Sequence, residues 1–300
     1  MAGSIRASGA PSEGAVRLRG AGPRWNGRVM THPLRRIVVL AALLAGGLCL
    51  PALLAPWLAP YPPEAMDLAG ALDPPGSAHW LGQDDNGSDV LSRLLYGARV
   101  SLLVGLGTVA VSASVGTGIG LAAGYAGGWI EQALMRLVDV LLAFPGLLLA
   151  IALAAVLGPG LGNVIVALSA LGWTGYARVV RAQVLAVRQL DYVQAAEALG
   201  MTPWRVMGLH ILPNVLPILW VQASFGLAGA ILAEASLSFL GLGVPTGTPS
   251  WGAMLADGKN VLLQAPHVSI FPGLCLMLAV LGFNLLGDAL GDWLDPRSRK

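Results

Sequence analysis

The segment from residue 178 to residue 214 reads RVVRAQVLAVRQLDYVQAAEALGMTPWRVMGLHILPN, and its residue types suit mechanical rather than covalent work. Asp191 followed by Gln194 has the spacing of a capping box, in which Asp191 caps the amides of the next turn and Gln194 reaches back. The spacing predicts a short helix over 192–199, ended by Gly200 in a left-handed conformation. Thr202-Pro203 predicts a second helix start, and Pro213 predicts a kink or restart further on. At 1.5 Å per residue the first helix is about 12 Å long. Ala195, Ala196 and Ala198 would keep one of its sides thin enough for a partner's groove. A short rigid helix fixed at both ends can pass a partner's movement into the segments that flank it.

Covalent and ligand chemistry finds little support elsewhere. Cys49 and Cys275 lie in apolar runs and form no CxxC or Cys/His cluster, so they read as small buried hydrophobes. Gly252 to Asn260 imitates a phosphate-binding loop but has five residues between its glycines and Asn in place of Ser or Thr. Asp84, Asp85 and Asp89 lack the spacing of a calcium loop and read as a solvated acidic stretch. Asp139 is expected to pair with Arg136 on one helical face. Glu234 would face a pathway or bond to backbone near the following loop, and the sequence alone leaves both open. His32 and His267 fall at predicted interfaces without ligand partners.

The elements that must hold these residues are membrane helices. Of 300 residues 55% are hydrophobic and only 11% are charged, well below the share of about 25% usual in soluble domains. A crossing needs roughly 20 apolar residues. Six are expected: 37–60, a second from about 100 to 124, about 137–157, about 162–180, one within 206–233, and 268–287. Gly158-Pro159-Gly160 divides the third from the fourth. Residues 235–256, interrupted by Gly and Pro, read as the end of the fifth span and an external loop or re-entrant turn. Gly116, Gly120 and Gly124 form small-xxx-small steps that predict close helix packing.

The remaining boundaries follow. Residues 1–36 are expected to form a basic, disordered tail, 61–97 an external loop with a short amphipathic helix, 98–291 the transmembrane core and 292–300 a second tail. With both termini cytoplasmic, fifteen of the eighteen Lys and Arg lie inside, leaving Arg93, Arg99 and Lys259 outside. Trp57, Trp80, Trp129, Trp204, Trp251 and Trp293 fall near span ends as interfacial anchors.

Gln194-Ala195-Ala196, Gly200 and Leu212-Pro213 resemble the EAA loop of bacterial ATP-binding-cassette importer permeases. His210 to Asn214, His79 to Arg99, Arg136 to Pro145, Glu234 to Gly243 and Pro249 to Gly252 resemble the dipeptide/oligopeptide type, over about 35–300. The likeness is to the C-type permease, which has a long external loop after its first span. Two positions depart from the pattern: Gln194 stands where Glu is usual, and Ser88 where Arg is usual. The resemblance implies an all-α fold of the type I importer permease with six transmembrane helices. It implies a coupling element at Asp191, Tyr192, Gln194, Ala195, Ala196, Glu197, Gly200, Leu212 and Pro213. It also implies a second homologous permease, two ATP-binding subunits that hold the ATP, and an extracytoplasmic solute-binding protein, in a bacterial inner membrane. No cofactor, metal, nucleic acid or catalytic residue is expected in this chain. The competing reading is a secondary transporter or channel coupled to an ion gradient, which needs buried acids or broken helices at mid-membrane. An intramembrane enzyme would need a nucleophile constellation that the spans do not offer.

Overall fold

The computed structural model describes residues 32–294, with side chains from Val39 onward, so most of the expected tail 1–36 and the end of 292–300 lie outside the described residues. The described chain is all helical, with a single isolated bridge between Gln83 and Asp89. The helices are α1 (His32–Leu53), α2 (Ala55–Leu58), α3 (Val90–Ala126), α4 (Gly128–Leu142), α5 (Gly146–Leu157) and α6 (Leu161–Val187). They continue with α7 (Asp191–Ala198), α8 (Pro203–Val206), α9 (Leu212–Phe239), α10 (Trp251–Gly258) and α11 (His267–Leu294).

Four helical stretches are long and apolar enough to cross a membrane: Val90–Ala126, Leu161–Val187, Pro203–Phe239 and His267–Leu294. The third expected span, about 137–157, falls on the end of α4 and on α5, two helices bent by 82°. Pro145 explains the break, because it precedes Gly146 and disfavours a helical residue before it. If that pair is one span the number is five, and the apolar part of α1, Val39–Leu53, is a shorter helix. Gly158 to Gly160 separates α5 from α6 as the sequence predicts, with Gly158 at φ +79°.

α3 on α6 is the centre of the bundle. A Cβ on Gly116, Gly120 or Gly124 would lie 2.5 Å from Tyr176 Cβ, 2.6 Å from Val180 Cβ and 2.7 Å from Val184 Cβ, respectively. The absent side chains therefore let the two backbones close, as the small-residue spacing predicts. Gly120→Leu should lower the thermal midpoint of the detergent-purified protein, since Ala177 O, 2.7 Å from the same Cβ position, cannot swing away. Overpacking of this kind costs about 1–3 kcal/mol or more. Gly118→Leu, with nothing within 4 Å, should leave the midpoint unchanged.

The end of the bundle where α3 begins differs from the sequence reading. No separate amphipathic helix precedes the second span: Asp89 caps a single helix of 37 residues, about 55 Å long. The acidic stretch is not fully solvated either. Asp84 and Asp89 are buried, and only Asp85 is exposed. Asp84 Oδ1 accepts from the Asn86 and Ser88 amides, both at 2.9 Å, while Asp84 Oδ2 ion-pairs with Arg93. Arg93 reaches on to Asp257 at 3.2 Å, so the 61–89 loop, α3 and α10 share one ionic knot. Trp251 is buried rather than interfacial, its indole N–H donating to Leu94 O at 3.2 Å. Glu234 is fully buried and takes hydrogen bonds from Ser101 Oγ at 2.9 Å and Ser238 Oγ at 2.7 Å, joining α3 to α9 through side chains rather than backbone.

Candidate coupling loop

At the opposite end of α3, the chain leaves α6, forms α7 and returns through α8 into α9. The start of α7 corrects the expected capping box. Leu190 is the extended residue before the helix, at φ −75° and ψ 137°, and its carbonyl accepts from the Val193 and Gln194 amides at 2.9 and 3.1 Å. Asp191 is thus the first helical residue and makes no side-chain cap, although its charge still suits the positive end of the helix. Gln194 Nε2 points to Gln189 O at 3.5 Å instead of the cap residue's own amide.

The other end is as the sequence predicts. Gly200 lies at φ +79°. Its amide donates to Glu197 O at 3.0 Å, and the Met201 amide donates to Ala196 O at 3.1 Å. This pair of bonds is the Schellman arrangement that ends a helix at a left-handed residue. Thr202 is extended before Pro203, and its carbonyl accepts from Arg205 and Val206 at 2.9 and 3.0 Å.

Pro213 does not restart the path. Met207–Ile211 is a π-helical turn that continues without a break into α9, with the Leu212 amide donating to Met207 O. Proline has no amide hydrogen, and its ring crowds the carbonyl four residues back. A wider turn relieves both problems without breaking the helix.

The faces of α7 are also different from the all-alanine thin side expected. Val193 and Ala196 are buried, Val193 joining Val187, Val206 and Ile211 in an apolar cluster. Gln194, Ala195, Ala198 and Leu199 face outward with Asp191 and Tyr192. Leu199 is 88% exposed, and Trp204 just beyond it is 81% exposed. Ala196 therefore allows close seating on the bundle, while Ala195 and Ala198 leave the outer side shallow.

Polar contacts tie α7 down on two sides. Arg188 Nη1 donates to Tyr125 O at 2.8 Å, its Nε lies 3.3 Å from Glu197 Oε1, and its guanidinium sits 4.8 Å from the Tyr125 ring centre. One side chain thus links the last turn of α3, the end of α6 and α7. On the other side Asn214 Nδ2 donates to Tyr192 Oη at 2.9 Å and to His210 O at 2.6 Å, with the Tyr192 ring edge-on to His210. The half-exposed Arg188–Glu197 pair contributes only about 0.2–1 kcal/mol, so its effect is to fix position rather than to stabilise.

Two further pairs brace α4 against α6: Glu131 with Arg181, where Nε donates at 2.6 Å, and Asp139 with Arg178 at 2.8 Å. The second replaces the expected Asp139–Arg136 pair. The contacts of Arg188 with Tyr125 and of Asn214 with Tyr192 have no signal in the sequence, because partners 63 and 22 residues apart leave no local spacing.

Residues 116–300 match the family described as binding-protein-dependent transport system inner membrane component. The chain is 44% identical to a glutathione transport system permease protein (GsiD) of Pectobacterium atrosepticum, over 88% of each chain. It is 41% identical to a probable D,D-dipeptide transport system permease protein (DdpC) of Escherichia coli K12, over 92% of this chain and 93% of that one. A dipeptide transport system permease protein (DppC) of Alkalihalophilus pseudofirmus is also 41% identical, over 88% of this chain and 87% of its own. With the apolar helices, the long loop before α3 and the bounded helix after α6, these matches show that the chain belongs to the inner membrane permease components of bacterial binding-protein-dependent transport systems.

Proposed function

We propose that this chain is one of two permease subunits of an ATP-binding-cassette importer for dipeptides, oligopeptides or a related small solute such as glutathione. In this reading α1 continued by α2 is the first crossing and α4 with α5 the third. That gives six crossings with both termini in the cytoplasm, in keeping with the distribution of Lys and Arg. A second, homologous permease completes the pathway, a solute-binding protein delivers cargo from outside, and two ATP-binding subunits bind and hydrolyse ATP. The chain itself performs no hydrolysis and needs no cofactor.

The observation that carries this reading is the build of α7. It is eight residues long, ends sharply at Gly200, is pinned inward by Val193 and Ala196, and presents Leu199 and Trp204 outward. Residues 191–200 dock in a cleft of an ATP-binding subunit, and Leu212-Pro213 marks the return of its movement into α9. A cysteine placed at Leu199, with Cys49 and Cys275 replaced, should cross-link to an ATP-binding subunit in the purified complex. Labelling of that cysteine from outside intact cells would refute the arrangement.

The ion-gradient reading could use the bent α4–α5 pair as a broken helix. The cavity beside that bend has no charged lining residue. Uptake by the reconstituted complex should therefore stop when ATP is withheld and persist when ion gradients are collapsed.

A further inference from the structure

Asn214, in the first turn of α9, has both of its amide hydrogens engaged. Its Nδ2 lies 2.6 Å from His210 O and 2.9 Å from Tyr192 Oη. A carbonyl oxygen only accepts, so Asn214 must turn its nitrogen and not its oxygen towards His210. The same nitrogen then donates to Tyr192, whose oxygen is the acceptor of that bond. The direction of the pair is thereby fixed, and the phenol keeps its own hydrogen to give elsewhere. Among the described residues no acceptor is paired with it. Tyr192 is 47% exposed on the outward side of α7, and its ring stands edge-on to His210 at 5.9 Å.

The two sides of α7 are attached in different ways. Arg188 holds it to α3 and α6 through Tyr125 O and Glu197. Those two helices are closed on each other at Gly116, Gly120 and Gly124, so this side moves as one body. Towards α9 the helix has the apolar packing of Val193 with Val206, Ile211 and Val215, which is non-directional and tolerates sliding. The directional link on that side is Tyr192 with Asn214.

We propose that Tyr192 donates its free hydrogen to an uncharged carbonyl oxygen on the ATP-binding subunit, and that Asn214 is the positioning residue that turns it outward and carries the pull into α9. The inference rests on the importer reading above and adds the atom by which the partner would grip α7. A phenol whose oxygen already accepts is the better donor, and docking strengthens both bonds by excluding water. The acceptor is uncharged because Asp191, exposed one residue away, would repel a second carboxylate.

The test uses the complete importer in proteoliposomes. With Cys49 and Cys275 replaced, spin labels go on Val166→Cys in α6 and Trp220→Cys in α9, both exposed positions. The distance between them, read by double electron–electron resonance, should change when ATP and vanadate are added. Tyr192→Phe keeps the ring and loses the donor. The ratio of shifted to unshifted complexes should fall about two- to tenfold, the equivalent of one hydrogen bond. Asn214→Asp separates the proposal from a simple tie. A carboxylate accepts, so the phenol hydrogen turns inward to it, and the α7–α9 bond survives with its direction reversed. The ratio should fall as it does for Tyr192→Phe, and the double variant should fall no further. The thermal midpoint should not move in either single variant, because both side chains are exposed.

A native ratio in Tyr192→Phe would overturn the proposal. So would a native ratio in Asn214→Asp, which would make the pair a tie and nothing more. Losses that add in the double variant, a midpoint lowered along with the ratio, or a distance that ATP leaves unchanged in the native sequence would each overturn it as well. Failure of the importer reading shows differently: no ATP-binding subunit would then purify with the chain, whatever residue stands at 192.

Discussion

A Gly200→Val variant should insert into the membrane normally yet lose most of the uptake expected of the assembled importer. At φ +79° a β-branched residue is strained, by about 1–2 kcal/mol for the left-handed conformation and more for Val. Space is not the difficulty, because a Cβ at Gly200 would have no atom within 4 Å. The chain would therefore change its backbone rather than push a neighbour. It would release the Gly200–Glu197 and Met201–Ala196 bonds and re-aim Thr202-Pro203. The helix would still dock but would no longer be held rigidly to α9. Uptake should fall on the order of tenfold or more, while ATP hydrolysis by the complex persists. Gly200→Asn provides the control, since Asn visits the left-handed region readily and should keep most of the transport. Equal losses for Val and Asn in an uptake assay would point to the surface of the residue instead of its backbone.

The second large effect belongs at the other end of α3. Arg93→Met should cost about 3–5 kcal/mol, as expected when one partner of a buried ion pair is removed and the other stays charged. Asp84 is 1% exposed and would keep its two amide donors but lose its cation. Asp257 would lose its link to α3 as well. The yield of folded protein by size-exclusion chromatography and its thermal midpoint should both drop sharply. Asp84→Asn in the same chain removes the stranded charge and should recover much of the loss. If the double variant is no better than Arg93→Met alone, the ionic knot is not what holds the 61–89 loop on the bundle.

Backbone requirements were legible from residue types, and long-range partners were not. Gly200 and the Gly158–Gly160 break could be read directly, because only glycine reaches those conformations cheaply. The Gly116, Gly120, Gly124 ladder could be read because its spacing keeps one helical face bare. The helix start at α7 lies one residue earlier than its sequence suggests: Leu190 rather than Asp191 takes the extended conformation, in the arrangement that seats Val193 in the apolar cluster. Asp139 turned to Arg178, 39 residues away, in preference to a neighbour on its own helix. The acidic stretch appeared solvated because Asp257, its partner through Arg93, is far off along the chain. At the coupling loop the outline was therefore readable, while the clamp made by Arg188, Tyr125 and Asn214 emerged only from the packed helices.

The π turn at Met207–Ile211 also bears on how this chain tolerates changes in length. In a regular helix every inserted or deleted residue spins all later side chains by about 100°. A π turn already houses one residue more than an α turn. Deleting one there would restore ordinary winding and leave Val215, Leu227 and Ile231 on their inward azimuth, at the expense of crowding by Pro213 and of reseating Met207 or Ile211 in the apolar cluster. The same deletion between residues 219 and 226 would swing Leu227 and Ile231 towards the hydrocarbon. Single-residue gaps among relatives should therefore collect at 207–211 and be missing from the rest of α9.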